Sequence, residues 1–333
     1  MRVLVTGAAG MIGRKLVARL AAQPRIGGKS ISALDLHDIV PPVSPEIPGI
    51  EVSAFIGDLA AEGAAASLVA RGPDVVFHLA GIVSGEAECN FDLGYRVNLD
   101  GTRALFDALR VAPGVPRVVY SSSIAVFGAP FPDVIPDEFH PTPLTSYGTQ
   151  KLIGELLLAD YTRRGFIDGI GIRLPTICVR PGTPNKAASS FFSSIIREPL
   201  AGKEAVLPVP KSVLHTHASP RSAVRFLVHA AEIDGTLVGP RRNLTMPGVA
   251  VTVGEQIESL RRIAGDHVAA LIREESNETI WAIVQNWPTR FEARRARELG
   301  FVAEQRFDEI VCAHIEDEAA SAVPLQVSPV RAP

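Results

Sequence analysis

The chain has 333 residues, 47% of them hydrophobic and 21% charged, with a formal net charge of −3. That is enough for one large α/β domain with a lobe, or for two domains. The charge gives no electrostatic case for nucleic acid or an anionic membrane, and no apolar run approaches the ~20 residues that span a bilayer. Three scattered cysteines (Cys89, Cys178, Cys312) suit a reducing compartment better than a disulfide framework. The opening Met1-Arg2-Val3-Leu4-Val5-Thr6-Gly7 is broken too soon for a signal peptide. A cytoplasmic α/β protein is expected.

Residues 3–5 read as a buried parallel strand. It runs into Gly7-Ala8-Ala9-Gly10-Met11-Ile12-Gly13 and then a helical pattern over 15–22. Strand, glycine turn and helix form the context of a dinucleotide site. Gly7 and Gly10 let backbone approach a pyrophosphate, Gly13 lets helix and strand pack closely, and the helix N-terminus offers free N–H groups. A second strand is expected over 31–36. Asp35 stands at its end, where a carboxylate accepts from both adenosine ribose hydroxyls and repels a 2′-phosphate. Leu36-His37-Asp38 offers no Arg for such a phosphate, so NAD is expected over NADP. Residues 41–48 form a proline-rich loop.

A third strand over 51–55 leads to Gly57-Asp58-Leu59, where Asp58 accepts from the adenine amino group or caps the next helix. A fourth, over 74–79, leads to His78-Leu79-Ala80-Gly81. Ala80 and Gly81 leave room for cofactor, and His78 reads as a packed core histidine. Residues 89–109 have helical spacing around Asn98, which either ties down neighbouring backbone or meets the cofactor. A fifth strand over 117–120 feeds Ser121-Ser122-Ser123. After a polar, Pro-rich loop over 130–143, a helix over 146–163 carries Tyr147 and Lys151. A sixth strand over 170–174 stops at Pro175. Strands alternating with helices give a doubly wound parallel sheet, with ligand beyond the strand C-termini.

Tyr147 and Lys151 lie one helical turn apart and share a face. The ammonium favours a phenolate whose free pKa, near ~10, is too high for a base at neutral pH. Ser123, at a strand end, can hydrogen-bond a substrate oxygen during proton transfer.

These residues resemble the extended short-chain dehydrogenase/reductase family, within the NAD-dependent epimerases and dehydratases. The resemblance covers the first 180 residues. It rests on Thr6-Gly7-x-x-Gly10-x-x-Gly13, Asp35, Gly57-Asp58-Leu59, His78-Leu79-Ala80-Gly81, Asn98, Ser121-Ser122-Ser123-Ile124-Ala125-Val126-Phe127-Gly128 and Tyr147-x-x-x-Lys151. It implies Tyr147 as acid/base, Lys151 on the nicotinamide ribose, Ser123 on the reacting oxygen, and Ser121 and Pro175 beside the nicotinamide. It also implies cofactor contacts from Met11, Ile12, Leu59, Leu79, Ala80, Gly81 and Asn98. The helices over 89–109 and 146–163 would then form the four-helix contact of a homodimer.

The second half departs from the family's nucleotide-sugar members. Their Asp-aromatic-Val/Ile-His-Val-x-Asp segment is matched here by Val213-Leu214-His215-Thr216-His217-Ala218-Ser219-Pro220-Arg221, without the acids. With Arg180-Pro181-Gly182-x-Pro184-Asn185 and Trp287-Pro288-x-Arg290-Phe291, this looks like the D-erythronate dehydrogenase branch. The implied activity is NAD-dependent oxidation of a sugar-acid secondary hydroxyl. A nucleotide-sugar 4-epimerase with tightly held NAD and a non-catalytic redox sensor are the alternatives. Arg180 and Arg221 are the candidates for clamping a substrate carboxylate. Ser84, Thr176 and Asn185 are placed to bond hydroxyls. His215-x-His217 lacks a third ligand of suitable spacing, so no metal is expected. The expected organisation is a Rossmann domain over 1–180 and a smaller C-terminal substrate-binding lobe over 181–318 with segments returning to the core. A weakly ordered tail is expected over 319–333.

Overall fold

The computed structural model describes residues 1–182 and 188–322. Seven parallel strands form the central sheet: β1 (Arg2–Thr6), β2 (Ala33–Asp38), β3 (Glu51–Ile56), β4 (Val75–His78), β5 (Arg117–Ser123), β6 (Asp168–Leu174) and β7 (Asn243–Thr245). Their order is β7-β6-β5-β4-β1-β2-β3. This is a doubly wound Rossmann sheet whose order reverses between β1 and β4, where a cleft opens at the strand C-termini. In register, Thr6 at the end of β1 faces His37 on β2 and His78 on β4.

Side chains alternate across the sheet because successive strand residues point to opposite faces. Val3, Val5, Leu34, Leu36, Val75 and Phe77 pack on one face with α1 (Met11–Ala22) and α4 (Pro220–Glu232). Leu4, Val76, Val118 and Tyr120 pack on the other with α2 (Gly101–Val111) and α3 (Ser146–Arg163). Both faces are covered, so the strands read as continuous apolar runs.

A second core lies beyond β6. Phe192, Ile195, Val253, Leu260, Ile310 and Val311 join the helix Ser190–Leu200, α5 (Val253–Ala264) and α6 (Phe307–Ala322). Its small sheet sets Leu214–Ala218 parallel to Thr176–Ile177 and antiparallel to Val249–Thr252. A capping box between Thr252 and Glu255 starts α5. Between these segments the chain returns to the large sheet as α4 and β7.

Two local expectations change. The stretch over 89–109 is interrupted: Asn90 caps a short helix, and Tyr95–Asp100 form a π-helical turn before α2. Gly94 there lies so close to Gln150 that a Cβ would sit 2.7 Å from its Nε2. Within 290–299 a helix forms only at Arg294–Glu298. Arg290 and Glu292 instead bond the backbone of Ile135 across the Pro-rich loop. And α6 continues past Ala319, into the stretch expected as tail; residues 323–333 lie outside the described residues. Among the described residues no helix is long and apolar enough to cross a membrane.

Candidate active site

The nucleotide end of the cleft is built from backbone. Gly7 has φ of +75°, and a Cβ on it would lie 2.6 Å from Leu79 and Ala80 backbone atoms. A Cβ on Gly13 would lie 2.1 Å from the Gly7 carbonyl oxygen. These two positions admit only glycine, because β1, α1 and the turn after β4 converge there. Gly10 precedes α1 and has no side chain to cap it, and the first turn (Met11, Ile12, Gly13) carries no acid. Its N–H groups are left as orphan donors with the positive end of the helix dipole.

Asp35 is not at a strand end. It sits within β2, 1% exposed, bonded to Arg2 (3.1 Å) and Arg71 (3.0 Å). Both guanidinium groups also reach Glu51. A carboxylate neutralised this way inside the sheet does not reach a ribose. The strand ends at Asp38, whose Oδ2 accepts from the Ala9 N–H of the glycine turn (2.9 Å) while Oδ1 accepts from Ile39 N–H (2.7 Å). Asp38 therefore stands where Asp35 was expected. Two acids three apart on one strand gave no local means of choosing; the strand's continuation through His37 decides it.

Around the turn after β4, the reason for glycine also changes. A Cβ on Gly81 would lie 2.8 Å from Asn98 Oδ1, so this residue makes room for an amide rather than for cofactor. Asn98 is 1% exposed. It accepts from Ile82 N–H (2.8 Å) and donates to Ile82 O (3.3 Å) and to Gln150 Oε1 (2.8 Å). Of the two readings of Asn98, the backbone tie is the one observed, and its donors are used up. Asp58 bonds Ala60 N–H within its own turn (2.8 Å) and pairs with Arg96 (2.7 Å). The next helix, Ala64–Val69, starts too late for Asp58 to cap it. Leu59 is buried, and Leu79 and Ala80 are half-buried beside the glycine turn. His78 is a satisfied core histidine between Thr6 (2.7 Å) and Thr102 (2.8 Å); burial pushes its pKa down to about 3.

Ser123, Tyr147 and Lys151 converge at the end of β5. Thr145 caps α3 by accepting from Gly148 N–H (3.1 Å), which fixes Tyr147 and Lys151 on its first turns. Burial raises the Tyr147 pKa; the hydrogen bond with Ser123 and the charge of Arg180 oppose that rise. Lys151 is 4% exposed, its Nζ 5.8 Å from the Tyr147 ring centre and donating to the Ser121 carbonyl oxygen (2.8 Å). Burial lowers its pKa to about 8, opposed by Glu155 one turn further along α3. Glu155 is itself held by Arg173 (2.7 Å) and Ser122 (2.5 Å). Ser121 Oγ donates to the His78 carbonyl oxygen (3.0 Å), and Pro175 is buried where β6 ends.

Of the two arginines expected on a substrate carboxylate, only Arg180 is near enough for its charge to act on Tyr147. Its backbone N–H donates to Ser193 Oγ (3.0 Å), its Nε to the Ile177 carbonyl oxygen (3.1 Å) and its Nη2 to Ser189 Oγ (3.3 Å). Burial lowers its pKa, and among the described residues no carboxylate pairs with it. Arg221 is elsewhere: at the start of α4 it bonds Glu316 (2.6 Å) and Asp317 (2.7 Å) of α6, so its charge is spent on the outer surface. The acid missing after strand Leu214–Ala218 comes from a distance, as Glu304 accepts from Ser219 and Ser222 hydroxyls. Thr176 is half-buried and bonds His215 (2.7 Å). Ser84 begins the short helix Ser84–Cys89, whose Glu88 accepts from Ser146 N–H (3.0 Å) at the start of α3. Asn185 lies outside the described residues.

The model of the "NAD dependent epimerase/dehydratase family" matches residues 3–233. The chain belongs to that family. Family membership brings NAD as the cofactor. A protein of Cupriavidus necator named D-erythronate dehydrogenase is 46% identical over 95% of this chain and 98% of its own length. One of that name from Haemophilus influenzae is 39% identical over 95% of this chain and 99% of its own. A crystal structure of a protein named as a nucleoside-diphosphate-sugar epimerase, from Agrobacterium tumefaciens, superposes with a TM-score of 0.94 at 62% identity, covering 97% of this chain and 96% of that one.

The residues present fit the family's cofactor. The uncapped first turn of α1 suits a pyrophosphate. A carboxylate fixed to the glycine turn at Asp38 suits ribose hydroxyls. A buried ammonium tied to the Ser121 carbonyl suits a second ribose.

Proposed function

We propose that this chain oxidises a secondary hydroxyl of a sugar acid of the D-erythronate type, with NAD as oxidant. The observation that carries the substrate class is Arg180: a half-buried guanidinium whose charge acts on Tyr147, without a carboxylate of its own among the described residues. A partly desolvated cation without a counter-charge is costly, and a substrate carboxylate offsets that cost with paired hydrogen bonds. The D-erythronate dehydrogenase name of two relatives that match nearly end to end supports the same class.

In this reading the first-turn N–H groups of Met11, Ile12 and Gly13 bind the pyrophosphate, and Asp38 accepts from the adenosine ribose hydroxyls. Asp58, Leu59, Leu79 and Ala80 border the adenine, and Ser121 and Pro175 border the nicotinamide. Lys151 holds the other ribose and supplies positive charge near Tyr147. Bound NAD supplies the hydride acceptor. Tyr147 as phenolate takes the proton of the substrate hydroxyl, and Ser123 donates a hydrogen bond to the oxygen as it becomes a carbonyl. Arg180 has two roles: it orients the acid and its charge favours the phenolate. Asp38 repels a 2′-phosphate, so NAD is preferred to NADP.

The test is NADH formation across a panel of four- to six-carbon sugar acids. Saturable turnover with a four-carbon acid is expected; turnover with none of them sinks the proposal. The second reading, a nucleotide-sugar 4-epimerase, draws on the epimerase name of the Agrobacterium protein. That reading requires protein that purifies with tightly bound NAD and gives no net NADH. We also propose a homodimer through α2 and α3, where Leu156 is 63% exposed; a monomer by light scattering removes it.

A further inference from the structure

We propose that His215 is a positioning residue that fixes Thr176 as a hydrogen-bond acceptor, so that Thr176 selects a substrate hydroxyl beside the carboxylate held by Arg180. This rests on the sugar-acid reading above and adds what recognises the rest of the acid.

His215 lies on the strand Leu214–Ala218 and is 2% exposed. Its ring stacks on Phe192 (centroids 5.2 Å apart, planes 4° apart) and meets Trp287 at 5.5 Å, so its orientation is fixed by packing. Its Nε2 is 2.7 Å from Thr176 Oγ1. The backbone of Pro288 raises the pKa of the ring, as a carbonyl that accepts from it does. A proline has no N–H, so that backbone can only accept, and with Nε2 at Thr176 we place the hydrogen on Nδ1. In the neutral ring Nε2 is then an acceptor, and the bond to Thr176 can run only one way: the threonine hydroxyl donates. Burial holds the His215 pKa down to about 4, so the ring stays neutral at ordinary pH.

Thr176 thereby has its single proton committed. What its half-buried oxygen offers the cleft is lone pairs. It receives a bond from a substrate O–H, and it has no hydrogen for a carboxylate or a carbonyl. The Arg180 guanidinium bonds the carbonyl of Ile177, the residue after Thr176 (3.1 Å), and in this proposal it supplies the anion site next to the hydroxyl site at Thr176. A polyhydroxy acid carries both groups on adjacent carbons. Trp287 and Pro288 act through the histidine.

The experiment has two arms on the full chain. In the first, kcat and KM are measured for a sugar acid and its mono-deoxy analogues. Wild type should discriminate against one analogue by about tenfold or more, as for one lost hydrogen bond. Thr176→Val and His215→Phe should raise KM for the full acid and erase that discrimination, with kcat and the KM for NAD little changed; Thr176→Ser should retain it. In the second arm, ¹⁵N spectra of the wild-type histidines should place the hydrogen of His215 on Nδ1, a readout that does not require any variant to fold. A hydrogen on Nε2, or discrimination unchanged in Thr176→Val that still binds NAD, overturns the inference alone. No wild-type turnover of any sugar acid overturns the sugar-acid reading and this inference with it.

Discussion

The two ends of the cleft are made of opposite materials. At the nucleotide end the site is formed by backbone, and the side chains that matter are the ones left out: a single Cβ at Gly7 or Gly13 would collide with main chain. At the other end Lys151, Arg180, His215 and His217 are all buried or nearly so, and burial shifts each toward its neutral form. The first surface is set by geometry and tolerates little change. The second is set by desolvation, so its chemistry is tuned by whichever charges are allowed to face one another.

That contrast can be tested at graded cost. Tyr147→Phe removes only the reacting hydroxyl and should lower kcat by about 10³-fold while NAD affinity, which belongs to the other end, holds. Surviving turnover would place the acid/base elsewhere. Arg180→Ala should raise KM for the sugar acid by about 10- to 100-fold, with Arg180→Lys intermediate because it keeps charge but loses the two-pronged geometry. Arg221→Ala should leave KM unchanged. At the nucleotide end, Asp38→Asn should raise the NAD KM about tenfold and improve the relative use of NADP, measured in paired steady-state assays. Asp35→Asn should spare both and instead lower Tm, because Arg2 and Arg71 lose the buried one of their two shared partners. If the two variants exchange effects, Asp35 is the ribose ligand.

The smallest effect is on acid stability. His78 and His215 have folded pKa values of about 3 and 4, below the ordinary histidine value. The unfolded chain therefore binds more protons as pH falls below about 6.5. Stability from these neutral rings is fully present above that pH and is lost progressively down to pH 4 and below. Urea midpoints between pH 7 and 4 should fall, and His78→Asn or His215→Asn should flatten the slope.

The parallel sheet, the glycine turn and the Ser123–Tyr147–Lys151 cluster were legible because period, spacing and turn chemistry encode them locally. The helix over 146–163 was readable to its ends, since Thr145 caps its start and Gly165, at positive φ, follows its last turn. What escaped was decided by partners far along the chain. Asp35 is taken up by Arg2 and Arg71, while Asp38 at the strand end reaches the glycine turn. The fate of Arg221 is decided by two acids on α6. Strand β7 is three residues long, too short for a periodic pattern, and exists because β6 offers it an edge. The spacing of His215 and His217 could have served a metal; their rings are instead occupied by Thr176 and Gln256.

The central claim is a net hydride transfer from a sugar acid to NAD, and isotope transfer measures it directly. D-erythronate deuterated at its carbon-bound positions, incubated with the protein and excess NAD, should yield free NADH carrying one deuterium together with a keto acid, as read by mass spectrometry. Unlabelled NAD throughout, with the deuterium retained in or returned to the sugar, would contradict it.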